Sequence, residues 1–77
     1  MKETGQLKWM WTIGAIMRGK ARRVVVMVCE QNGLEWDIQE EKGFLDSLFI
    51  FTVKGPSGKL LQLRDWVKQV EKDWNSA

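Results

Sequence analysis

The chain has no histidine, no tyrosine and a single cysteine, Cys29. Without histidine it lacks the side chain that most often serves as general base and as metal ligand. One cysteine permits neither an intrachain disulfide nor a multi-cysteine zinc site. Cys29 is expected to be a buried thiol in a reducing compartment, because unpaired cysteine is among the most buried residue types. No apolar run approaches the ~20 residues of a membrane-spanning helix. The best candidate, Trp9 to Met17, is bounded by Lys8 and Arg18. It also fails as a secretory signal: Glu3 interrupts the basic start, and Arg18 and Lys20 stand where small residues should precede cleavage. A cytoplasmic location is expected. With no evident nucleophile–base pair, the chain is read as a non-enzyme with no cofactor and no metal.

What is present is apolar surface and five tryptophans in 77 residues. That composition excludes disorder, which needs low hydrophobicity and high net charge. The length allows one domain, spanning 1–77, with a thin stability margin, because a chain of this size buries only about 60% of its unfolded surface. Self-association is a common way to widen such a margin. The net charge of +2 conceals an asymmetry. Residues 1–29 carry six cations against one acid, and residues 30–46 carry six acids against Lys42 alone. Opposed blocks of this kind pair with each other or steer one subunit onto another.

The C-terminal segment reads as a helix. Gly55-Pro56-Ser57-Gly58 breaks the preceding run, and Ser57 is a fitting N-cap. Leu60, Leu63, Val67, Val70 and Trp74 then recur at spacings of three and four, which marks one apolar stripe of a helix from about Gly58 to Trp74. Leu61 and Trp66 are expected to widen that stripe.

The segment from Arg22 to Lys54 reads as three consecutive strands. Leu34 to Gln39 alternates without a fault, and Asn32-Gly33 before it is a strong hairpin signal. With Gln31-Asn32-Gly33 as one loop and Lys42-Gly43 as the next, Val28 faces Trp36, Val26 faces Ile38, Arg23 faces Glu41, Trp36 faces Phe49 and Leu34 faces Phe51. This register gathers Val24, Val26, Val28, Leu34, Trp36, Ile38, Phe49, Phe51 and Val53 on one face, which the helix should cover. Residues 4–18 read either way. As a strand they align Trp9, Trp11, Ile13, Ala15 and Met17, and Trp, Thr and Ile favour that form. The expected fold is therefore α+β, an antiparallel β-meander (β-β-β-β-α) with the amphipathic C-terminal helix packed on one sheet face. The alternative is α-β-β-β-α.

Three motifs invite a chemical reading. Gly55-Pro56-Ser57-Gly58-Lys59 resembles a fragment of the phosphate loop of guanylate kinases and related nucleotide-binding proteins. The full pattern needs glycine at the position of Val53 and serine or threonine at that of Leu60. Both are absent, so the segment is read as a strand-to-helix turn. Asp46 and Ser47 interrupt an apolar run and are read as a bulge or the start of a strand. Glu35, Asp37, Gln39 and Glu41 share one strand face, where charge resists aggregation at a sheet edge.

The functional expectation is a small protein-interaction module, a homodimer or adaptor. Its interface is expected on the second sheet face, at Met10, Ile16, Val25, Met27, Leu48 and Ile50, because a contiguous exposed apolar patch marks an interface. The alternative is a nucleic-acid-binding accessory protein. It would use Arg18, Lys20, Arg22 and Arg23 at a hairpin tip, with phosphate contacts weakened by salt and bases stacked on Trp9 or Trp11.

Overall fold

The computed structural model describes residues 4–76. Lys2 and Glu3, counted in the basic N-terminal block, lie outside the described residues. The element order is β1 (Thr4–Gly14), α1 (Arg18–Gln31), β2 (Glu35–Lys42), β3 (Asp46–Pro56) and α2 (Ser57–Ser76). The fold is α+β, but the order is β-α-β-β-α and the sheet has three strands, in the order β1-β3-β2. Both outer strands run antiparallel to β3. They are therefore parallel to each other, joined by α1 and split by β3. Neither the four-stranded meander nor the α-β-β-β-α order is realised.

The correction lies in residues 18–31, expected as a hairpin turn followed by a strand from Arg22 and found as one helix. The run Val24 to Cys29 is apolar at every position, and a continuous apolar run carries no period of its own. A β-branched residue in a helix costs only a few tenths of a kcal/mol, less than the gain from burying one side of the helix. Val25 and Cys29, four residues apart, are fully buried, with Ala21 and Val28 packed beside them. Val24 and Val26 do not share a sheet face with Val28, and Arg23 does not oppose Glu41.

Asn32-Gly33 ends this helix instead of turning a hairpin. Gly33 takes the left-handed conformation (φ 65°). Its N–H donates to the Glu30 carbonyl at 3.2 Å, and the Leu34 N–H donates to the Cys29 carbonyl at 2.9 Å. These two bonds form a Schellman cap, in which the residue after the glycine packs back on the helix. Leu34 and Cys29 are both in the core. The Asn32 side chain adds a bond from Nδ2 to the Val28 carbonyl at 2.8 Å.

Because Leu34 closes the helix, β2 begins at Glu35, opposite Lys54. This opposite-charge pair replaces the expected register. Trp36 faces Val53 and Ile38 faces Phe51, and the hairpin turns at Phe44-Leu45, two residues beyond Lys42-Gly43. There the Gly43 N–H donates to the Asp46 carbonyl at 2.7 Å. The displacement is even, so Trp36, Ile38, Phe49, Phe51 and Val53 keep their shared face. Asp46 begins β3 opposite Gly14, which bears out the reading of a strand start there.

Residues 4–14 form a strand, and Leu7, Trp9, Trp11 and Ile13 line the same face of the sheet. Trp9 stacks on Phe51 with ring centroids 4.9 Å apart, and Trp11 meets Phe51 edge-on at 5.3 Å. From α2, Leu60, Leu63 and Val67 complete the core. Trp74 closes on Trp11 at 4.8 Å, while Leu61 is exposed and does not widen the stripe. Both helices thus cover one face of the sheet, and no described helix covers the other.

Val25 and Met27 separate the helical reading of this segment from the strand reading. In a strand they would share a face; in α1 one is buried and the other is half exposed. Val25→Asp should cost about 4 kcal/mol or more, through an unpaired buried charge. Met27→Asp should stay within about 0.5 kcal/mol of the parent. Urea denaturation of both variants reads the difference directly, and equal losses would contradict the helix.

Candidate interaction surfaces

The parity of β1 and β3 decides what the uncovered face presents. Met10 lies opposite Ile50, and Thr12 opposite Leu48. Met10, Leu48 and Ile50 therefore form a short apolar strip in the middle of that face. Lys8, Thr12 and Thr52 surround it, and Glu35, Asp37, Gln39 and Glu41 border it along β2.

Three of the six residues expected at an interface are thus brought together. Ile16 stands apart, in the turn between β1 and α1. Val25 is in the core between α1 and the sheet, so it cannot serve an exposed face. Met27 is on the solvent side of α1, in the opposite layer of the molecule. All three departures have one cause: a helix stands where strand alternation was expected.

The two edges of the sheet differ in chemistry. β2 has eight residues, five of them charged: Glu35, Asp37, Glu40, Glu41 and Lys42. β1 has eleven residues and one charge, Lys8, with no proline. Charge on an edge strand blocks the addition of another strand, whereas a long uncharged edge invites it. β1 also holds the Trp9 indole N–H, which is buried and has no acceptor among the described residues.

Arg18, Lys20, Arg22 and Arg23 occupy the first two turns of α1, not a hairpin tip. The helix separates them. Arg18 turns toward the sheet and donates to the Ser47 hydroxyl at 3.4 Å, and Ser47 in turn donates to the Glu40 carboxylate at 3.0 Å. Ser47 is completely buried, so this chain ties the start of α1 to both β2 and β3. Lys20, Arg22 and Arg23 are exposed. Trp9 and Trp11, the expected base-stacking partners, face the core. Sequence reasoning gave no hint of the Ser47 link, because it depends on which strand lies beneath the helix.

Between α1 and α2, above β1, lies an open apolar cavity of about 540 Å³. Trp11, Trp66, Trp74, Val70 and Val24 contribute to its walls, and Lys20 is the one charged residue lining it. Its volume lies within the range of small-molecule pockets. Its lining offers contact area, with no carboxylate, thiol or imidazole for catalysis. Among the described residues, no three acids or cysteines come together to hold a metal. No described helix is long and apolar enough to cross a membrane.

Against protein-family models, curated proteins and solved structures, the chain finds no match.

Cys29, on the inner side of α1, is fully buried. Burial first, and the neighbouring Glu30 charge second, push its thiol above the ordinary value. Since only the thiolate attacks, Cys29 should resist a soluble thiol reagent at pH 8 in the folded protein. It should react fully once the chain is unfolded in denaturant. Rapid native labelling, followed by mass spectrometry, would contradict the placement of α1.

Proposed function

We propose that this protein is a non-enzymatic interaction module that forms a homodimer by pairing β1 of one copy with β1 of another. The observation that carries this reading is the contrast between the edges: eleven residues with one charge on β1 against five charges in eight on β2.

The geometry favours a second copy as the partner. An antiparallel pair centred on Trp9 would set Lys8 of each copy against Met10 of the other, which avoids a like-charge contact. Met10, 61% exposed beside the edge, would then continue the Ile50 and Leu48 strip across the junction. The apolar strip is too small by itself for a stable interface, which needs about 800 Å² per partner. Backbone pairing along the strand supplies the rest, with main-chain bonds giving affinity and the flanking side chains giving selectivity. A dimer also answers the thin stability margin of a chain this short.

Sedimentation equilibrium at micromolar concentration should return twice the 9.0 kDa chain mass. The variant Met10→Lys sets a lysine against Lys8 of the other copy at two places across the junction and leaves the core untouched. Its dimer should be about ten-fold or more weaker, with the circular dichroism of the helices unchanged. A monomeric parent, or a variant that dimerises as well as the parent, would overturn the reading.

A further inference from the structure

Two loops meet at one end of the molecule. The turn Ala15-Ile16-Met17 follows β1, and Phe44-Leu45 caps the β2–β3 hairpin. The Ala15 N–H donates to the Leu45 carbonyl at 3.1 Å, which holds the loops side by side. Ile16 is 95% exposed, Phe44 98%, Leu45 75% and Met17 49%.

The side chains of Ile16, Phe44 and Leu45 are not part of the core. Hairpin turns favour glycine, asparagine and aspartate, which tolerate the turn backbone. Phe44 and Leu45 break that rule and contribute no burial in return. A local rule broken without structural gain points to function, and four adjacent exposed apolar side chains form a patch larger than scattered surface residues make. Both loops lie past the last strand pairs, Gly14 opposite Asp46 and Lys42 opposite Ser47, so this patch is a tip and not a groove. Cations flank it in the chain: Lys42 on the hairpin side, and Lys20, Arg22 and Arg23 on the first two turns of α1, after Arg18, which bonds to Ser47. Glu40, Glu41 and Asp46 are the acids of the hairpin end, three against these five cations, so the collar keeps a net positive charge.

We infer that this tip inserts into the surface of an anionic lipid bilayer. A protein partner would need a pocket shaped to two adjoining knobs. A bilayer accepts projecting apolar side chains at the boundary of headgroups and acyl chains, while lysine and arginine meet the lipid phosphates. Apolar insertion and basic charge together make the two signals that reversible peripheral binding requires. The inference is independent of the β1 edge: in an antiparallel β1 pair the two tips point away from each other, so one tip meets a given membrane.

The test is co-sedimentation of the full chain with vesicles of phosphatidylcholine and phosphatidylserine, and with phosphatidylcholine alone. The parent should pellet with the mixed vesicles, much less with the neutral ones, and less as salt rises. The variant Ile16→Ser with Phe44→Ser should lose about ten-fold or more of this partitioning, with unchanged melting temperature and unchanged solution mass. Lys20→Glu with Lys42→Glu should lose binding to the mixed vesicles specifically. The inference is overturned if the parent stays in the supernatant, or if the Ile16 and Phe44 changes leave partitioning intact. It is also overturned if those changes alter the solution mass instead, which would make the tip a protein contact. Retention of a nucleic-acid duplex without any vesicle binding would assign the cations to a different partner and overturn it equally.

Discussion

Burial of one face of β3 is the constraint on which the rest of the structure depends. Among the described residues, Phe49, Phe51 and Val53 lie on the one strand with a neighbour on each side, and all three are essentially inaccessible to solvent. Phe51 stands between Trp9 on β1 and Ile38 on β2. Both helices then close over the same residues, with Val25 and Cys29 from α1 and Leu60, Leu63 and Val67 from α2. Burying a side chain of this class contributes about 1.5–3 kcal/mol, and the ring contacts of Phe51 with Trp9, Trp11 and Phe49 add to that.

Spending both helices on one face has consequences elsewhere. The second face is left with a mixed surface, a short apolar strip framed by lysine, threonine and acids. The sheet is left with two open edges, and only β2 carries the charges that keep an edge solitary. The loops at one end are free of the core and carry their own exposed apolar residues. The capacity for association and the surface preferences proposed here follow from that one-sided arrangement. They require no reactive side chain, which agrees with a chain that lacks histidine and buries its only thiol.

Much of this was legible in the residues. The stripe of α2 follows from a period of 3.6 and the strand character of β2 from a period of 2, whereas residues 4–18 read either way and favoured a strand by residue type. The shared face of Trp36, Ile38, Phe49, Phe51 and Val53 survived an error in register, because the error was an even number of residues. What was not legible was α1. Its valines are apolar on every side, so alternation was read where none was encoded, and Asn32-Gly33 suits a helix stop as well as a hairpin. Met10, Leu48 and Ile50 were placed together correctly because they belong to true strands. Val25 and Met27 were misplaced because they belong to a helix. The tip at Phe44-Leu45 was hidden for a related reason: with the turn set at Lys42-Gly43, both residues were counted as strand.

The central claim is that β1 and β2, both edges in the isolated chain, differ in solution because β1 acquires a neighbour. Amide hydrogen exchange followed residue by residue at high and low protein concentration tests it most directly. Amides of β3 bonded within the sheet should be slow at both concentrations. Those of β1 that point away from β3 should be protected at high concentration and exchange rapidly on dilution, while the outward amides of β2 exchange rapidly throughout. Equal, concentration-independent exchange along the outer sides of β1 and β2 would contradict the account.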